Sequence, residues 1–587
     1  MRKLCNLLCA ALLLAACAQQ PAKSPVAETQ PAAPAAKQAA QATPKLAAEA
    51  PQPLPNLDLD RKLLYQFLVA EMAINRGDYQ LAARIYLDLA RATHDPRVAR
   101  RATDVAFYSR QYAIALEAAT LWLQADPNSV QARQTLAVMF VNSSRLEDAR
   151  PHLEIWLSAD PQNIGASFLQ LNGILARHSD KAGVLALMQE LAKPYPNVPE
   201  AHLAVAQAAV GANDADAALA ETRQALHLKP DWEMAALFQA QLLARKSNQQ
   251  ALDYLRDYVK RYPKAKDARL NYARLLVSEK KYSEARAEFQ TLTREFPDNV
   301  DVATAVGLLS MQLNDYDAAE AQLKRVLELE PKNPDTVRLY LGQVNEERKR
   351  YDEAIDWYRS VGAGDQYITA QTRIAQTMAK QGKLAEARAY LRQVETQDPQ
   401  QRVQLTQAEA QILRESNEYK EAFDLLGQAL DKDPNAPDLL YDYAMAAEKI
   451  DRIDVLEANL RKLIRIKPDH AHAYNALGYT LADRTDRLEE AQDLIETALK
   501  LAPDDPFIMD SMGWVLYRRG NLNGGYDYLA RAYKARPDPE IAAHLGEVLW
   551  KQGRRDEAEK VWRTALKDNP SNEVLQATFK KFLTGAR

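Results

Sequence analysis

Residues 511–537 read "SMGWVLYRRGNLNGGYDYLARAYKARP". Two runs with apolar residues three and four apart flank "RRGN", so the stretch is two helices joined by a glycine turn and closed by Pro537. Gly513 stands inside the first helix, directly before Trp514. Glycine in a helix interior costs about 0.5–1 kcal/mol relative to alanine, so a close approach that excludes a Cβ has to offset it.

The next stretch repeats the pattern. Counted from Pro539, Leu545-Gly546, Leu549, Gly553, Ala558, Trp562, Ala565 and Pro570 fall where Met512-Gly513, Leu516, Gly520, Gly525, Leu529, Ala532 and Pro537 fall when counted from Pro506. The closing proline keeps time along the chain. Pro127, Pro161, Pro196, Pro230, Pro263, Pro297 and Pro331 are spaced by 34, 35, 34, 33, 34 and 34 residues. Pro399, Pro434, Pro468, Pro503, Pro537 and Pro570 follow at 68, 35, 34, 35, 34 and 33. "KKYSEAR", "NDYDAAE", "NEYKEAF" and "DRLEEAQ" mark successive turns into second helices.

A 34-residue period with these residues resembles the tetratricopeptide repeat, in which helix pairs stack into a solenoid. The resemblance implies an all-α, right-handed superhelical solenoid over residues 57–571, about fifteen helix pairs, with a capping helix over 572–587. Gly513 then lies where the first helix crosses the second, and Gly307, Gly342, Gly478 and Gly546 take the same part elsewhere. Repeats four and six, around "ARHSDKAGVLAL" and "RKSNQQALDYL", fit weakly, and "VGAGDQY" at 361–367 replaces a closing proline and predicts a looser joint.

Composition agrees with a helical array. The 587 residues are 47% hydrophobic and 26% charged with only 19 Gly, and the net charge of −4 is interspersed, with no basic run of the kind that binds nucleic acid. The amino terminus, "MRKLCNLLCAALLLAACAQQ", has a basic start and an apolar run too short to span a bilayer, as in a secretory signal. Leu14-Ala15-Ala16-Cys17 is similar to the lipobox of bacterial lipoproteins. That resemblance implies a signal over 1–16 and a lipidated Cys17 as the first mature residue; the alternative is an ordinary signal cut nearby. Cleavage there removes Arg2 and Lys3, taking the charge from −4 to −6, and leaves Cys17 as the one cysteine, so no disulfide is expected. Ala18 and Gln19 follow, where an Asp would mark inner-membrane retention in such lipoproteins, so the implied address is the periplasmic face of the outer membrane.

Residues 17–56 carry almost no large apolar side chain and predict a disordered tether of Pro, Ala and Gln. Its stretch from 18 to 55 would coil to roughly 35 Å and extend to about 120 Å.

On the first helix of each repeat, positions 2, 5, 9 and 12 share a face, bordered by 13, that turns away from the partner helix. Asp510, Trp514, Tyr517 and Arg518 occupy that face in one repeat, and Tyr441, Tyr479 and Trp550 occupy it in neighbouring ones, beside Glu547 and Lys551. Five aligned rings with charged neighbours are the residue types of binding hot spots, so this stripe is the candidate protein-binding groove. The alternative is that the rings fill the inside of the superhelix by packing on each other. Arg97 and Arg100, with Phe107 and Tyr108, form a second candidate patch in the second repeat.

No phosphate loop, nucleophile elbow or Cys-x-x-Cys occurs, and no catalytic residue, cofactor or metal is expected. His470 and His472 are two apart, which sends them to different sides of a helix, and Asp504-Asp505 before Pro506 reads as turn and N-cap. The lipobox, the tether, the repeats and the segments "LGYTLADR", "DSMGWVLYRRG" and "IAAHLGEVLWKQGRRDEA" together resemble the outer-membrane lipoprotein adaptors of carboxyl-terminal processing proteases. That resemblance implies a scaffold that binds the protease and substrates such as peptidoglycan hydrolases. The rivals are a scaffold for exopolysaccharide secretion or outer-membrane assembly, and a cell-wall enzyme.

Overall fold

The computed structural model describes residues 60–583, together with Leu54, Pro55 and Leu57. The predicted signal, Cys17 and nearly all of the predicted tether lie outside the described residues, as do 584–587. Among the described residues there are 31 helices and no strand. They run as consecutive pairs, from Arg61–Asn75 with Tyr79–Thr93 to Pro539–Lys551 with Arg555–Asp568, and Glu573–Leu583 closes the series. None of them is long and apolar enough to cross a membrane.

Local chemistry sets the helix ends. Asp95, Asp398, Asp505 and Asp538 each cap a helix whose first residue is proline; the Asp505 carboxylate accepts from the Phe507 N–H at 2.8 Å and the Ile508 N–H at 3.1 Å. Gly520 and Gly553 end first helices in the left-handed region, at φ of +86° and +81°.

The glycine inside the helix is explained by contact. A Cβ added to Gly513 would lie 2.6 Å from Leu529 Cγ and 2.9 Å from the Gly525 carbonyl oxygen, so the Pro506–Arg518 and Leu522–Ala535 helices meet backbone to backbone. At Gly546 the same atom would fall on the indole of Trp562, which is fully buried and donates from Nε1 to the Ala543 carbonyl at 3.3 Å. Interior packing this dense cannot absorb an extra methyl without movement.

The chain divides into two compact units at residues 322 and 323. The division falls inside the Tyr316–Glu328 helix and not at the joint predicted over 361–367. That joint is anchored: Val361 is buried, and the Gly362 N–H donates to Asp335 Oδ1 at 3.2 Å. In the C-terminal unit the first helices Ala471–Arg484, Pro506–Arg518 and Pro539–Lys551 lie side by side and form a common wall.

Candidate protein-binding site

Three adjacent first helices build the site. From Pro506–Arg518 come Asp510, Trp514 and Tyr517, spaced i, i+4, i+7 on one face; Ala471–Arg484 brings Tyr479, and Pro539–Lys551 brings Glu540, His544 and Glu547. His544 is the hub. Its Nδ1 lies 3.0 Å and 3.1 Å from the two Asp510 carboxylate oxygens, its ring stacks on Trp514 at 4.2 Å between centroids, and its Nε2 is 3.5 Å from the Tyr479 hydroxyl. Both members of the His544–Asp510 pair keep only about a tenth of their side-chain surface, at 12% and 10%.

The electrostatics follow from that enclosure. Burial alone would push the imidazole of His544 down, but attraction and hydrogen bonding from Asp510, with Glu540 and Glu547, outweigh it and hold the imidazole above its ordinary pKa. A charged imidazole stacked on an indole face gains a cation–π attraction as well. Burial, followed by the negative charge of Asp483 and Asp510, pushes the Tyr479 phenol up. Burial and Asp538 raise the carboxyl of Glu540, against the opposing pull of His544 and Lys449. Glu540 is nonetheless exposed, so it stands at the open edge of this cluster.

Around the hub the wall is braced. The Tyr517 hydroxyl donates to Glu547 Oε1 at 3.1 Å, and Lys581 of the closing helix reaches the same oxygen at 3.4 Å. Arg518 Nη1 donates to the carbonyls of Ala482 and Asp483 at 2.7 and 3.0 Å, holding the C-terminal turn of the neighbouring first helix.

The structure redistributes the predicted stripe. Asp510, Trp514, Tyr517 and Tyr479 do meet, but Trp514 is not an open groove residue: it is 9% exposed, belongs to the core, and has a buried indole N–H without a partner. His544 covers one of its faces, which is the interior packing that formed the alternative reading. Trp550 packs on Trp562 and on Phe582 of the closing helix, both at 5.9 Å between centroids, with Arg555 over its ring, so it belongs to the cap. Tyr441, half-buried, stacks on His470 at 5.4 Å. His470 itself caps the Ala471–Arg484 helix by accepting from the Ala473 N–H.

The residues of the second predicted patch make local contacts and remain exposed. Arg97 pairs with its own cap residue Asp95 at 2.6 Å, and Arg100 sits over the Trp122 ring at 5.6 Å with Asp104 at 4.0 Å. Phe107 and Tyr108 pack edge-on against Tyr112 and Tyr79. His544 escaped sequence reasoning because it occupies position 6, one step off the groove face. Its signal was the spacing: it lies 34 residues, one repeat, beyond Asp510.

A stack of helix pairs whose first helices present such a wall is a repeat scaffold for protein interaction. Tetratricopeptide-repeat models match residues 242–309, 306–368, 369–400, 471–505 and 511–573. The TPR repeat-containing protein PA4667 of Pseudomonas aeruginosa is 34% identical over 530 residues, covering 89% of this chain and 88% of that protein. The TPR repeat-containing protein MJ1428 of Methanocaldococcus jannaschii is 30% identical over 95 residues, 16% of this chain and 17% of that one. Among solved structures, TTC0263, a TPR protein of Thermus thermophilus, is 24% identical with a TM-score of 0.28, covering 30% of this chain and 95% of that chain. A tetratricopeptide-repeat protein of Parabacteroides merdae is 14% identical with a TM-score of 0.31, covering 48% and 97%. The chain belongs to the tetratricopeptide-repeat proteins.

Proposed function

We propose that the chain is a periplasmic adaptor, tethered to the outer membrane through lipid on Cys17, that binds a carboxyl-terminal processing protease together with protein substrates such as peptidoglycan hydrolases. The observation that carries its binding role is the common wall of first helices, with Glu540 exposed and Tyr479 half-buried on it and the enclosed His544–Asp510 pair bracing it from within. Charged and aromatic groups held in fixed positions on rigid helices recognise a protein segment at a small ordering cost. The adaptor reading adds the lipobox, the tether and the three C-terminal segments that resemble such adaptors. A tether reaching up to about 120 Å lets the repeats work away from the membrane surface.

The test is a reconstitution. The purified chain alone should leave casein and peptidoglycan intact, and should accelerate cleavage of a peptidoglycan hydrolase by the protease. Turnover by the lone protein that survives removal of contaminants would overturn the adaptor reading. Purification from detergent-solubilised membranes with a secretion channel, and without a protease, would favour the scaffold for exopolysaccharide or outer-membrane assembly.

A further inference from the structure

The sixth repeat departs from the pattern, and a cavity lies where it does. In other first helices a glycine at this step lets the two helices close up, as at Gly478, Gly513 and Gly546; here the step is Phe238-Gln239. The side chain of Gln239 is 8% exposed and lines a cavity of about 370 Å³. The Ala215–Leu228 and Asn248–Arg261 helices supply the rest of its wall, within the N-terminal unit.

The lining has a definite chemistry. Tyr254, Tyr258 and Tyr262 recur every four residues, their rings 6.2 and 4.9 Å apart in sequence order. Tyr258 is 6% exposed, and its buried hydroxyl has no hydrogen-bond partner. An unpaired buried hydroxyl costs about 1–3 kcal/mol, which an acceptor entering the cavity would recover. Burial, with Glu233 and Tyr262 nearby, pushes that phenol up, so it remains a hydroxyl and can donate. At the rim stand Arg223, His227 and Arg261, all exposed. The one carboxylate of the lining, Asp257, is engaged by Arg256 Nε at 3.4 Å. The lining thus combines two guanidinium forks, an imidazole, a buried hydroxyl donor and three rings, groups that can take up a carboxylate carried on a peptide.

We propose that this cavity binds the acidic side chains of a segment from a partner protein, with Arg223 and Arg261 gripping a carboxylate and the Tyr258 hydroxyl donating to it. The site is separate from the wall of the C-terminal unit and does not rest on the adaptor reading.

Calorimetry on the full chain in detergent tests it with acetyl-Ala-Glu-Glu-Ala-amide, its Gln-Gln counterpart and inorganic phosphate. The Glu peptide should bind at least tenfold more tightly than the Gln peptide, and phosphate should compete poorly. Arg223→Gln with Arg261→Gln should weaken the Glu peptide at least tenfold. Tyr258→Phe should weaken it three- to tenfold while melting stays level or rises, which separates a ligand contact from a structural role. Equal affinity for the two peptides, binding that survives these substitutions, or phosphate binding as tightly as the peptide would overturn the proposal.

Discussion

Replacing Trp514 with alanine tests where the aromatic stripe belongs. The ring is 9% exposed, stacks on His544 at 4.2 Å and lies 5.1 Å from Tyr517, so its loss should carry the cost of a large core truncation, about 3–5 kcal/mol. Its indole N–H is buried without a partner, and removing that group returns roughly 1–3 kcal/mol. The net cost should therefore be about 2 kcal/mol. Trp514→Phe, which deletes the N–H but keeps a ring against His544, should stay within about 1 kcal/mol of the wild type. Repeat arrays open by neighbouring units, so a single melting temperature dilutes a local change. Hydrogen exchange of peptides covering 506–518 and 539–551 reads it directly: Trp514→Ala should speed exchange there by roughly 30-fold, at tenfold per 1.4 kcal/mol. Exchange within about threefold of the wild type would mean that the ring is not core and that the helix is rotated from the register argued above.

Gly513→Leu should destabilise the same helices, because even a Cβ there lies 2.6 Å from Leu529 Cγ; tolerance of leucine in thermal and exchange measurements would refute the backbone contact. Asp510→Asn should flatten the pH dependence of stability. The folded state holds the imidazole of His544 above its unfolded value of about 6.5, so the pair's contribution is full below that pH and is lost as pH rises through the raised value. The wild type should therefore lose more stability than Asp510→Asn between pH 6 and 9 in urea titrations, and equal slopes would contradict the charged pair. Cys17→Ala should abolish lipid labelling and release the chain from membranes with its helical content unchanged; retention through high-salt and carbonate washes would locate the anchor elsewhere.

The fold was legible because enough repeats carry the same few residues: a glycine at the helix crossing, as at Gly513 and Gly546, a small residue twelve positions on, and a closing proline at a nearly constant interval. The groove face was legible only as a direction. Position 9 turns Trp514 toward the wall, but whether a ring there is open depends on what the next repeat lays over it, and a one-dimensional period carries no information about that. His544 closes over the indole from a position the period assigns elsewhere. Trp550 holds the same position 12 as Tyr517, yet the element laid beside it is the Glu573–Leu583 helix, and the ring packs against Phe582 there.

If the C-terminal wall is the protein-binding surface proposed above, a carboxyl-terminal processing protease should lose affinity for variants of that wall. Glu540→Lys combined with Lys551→Glu alters two exposed residues of the wall and leaves Tyr479, Trp514 and the His544–Asp510 pair in place. Surface plasmon resonance with the immobilised full chain should give a Kd at least tenfold weaker for this double variant, about 1.4 kcal/mol or more, with hydrogen exchange of the wall helices unchanged. Equal affinity for the wild type and the variant, or no measurable binding to either, would contradict the claim.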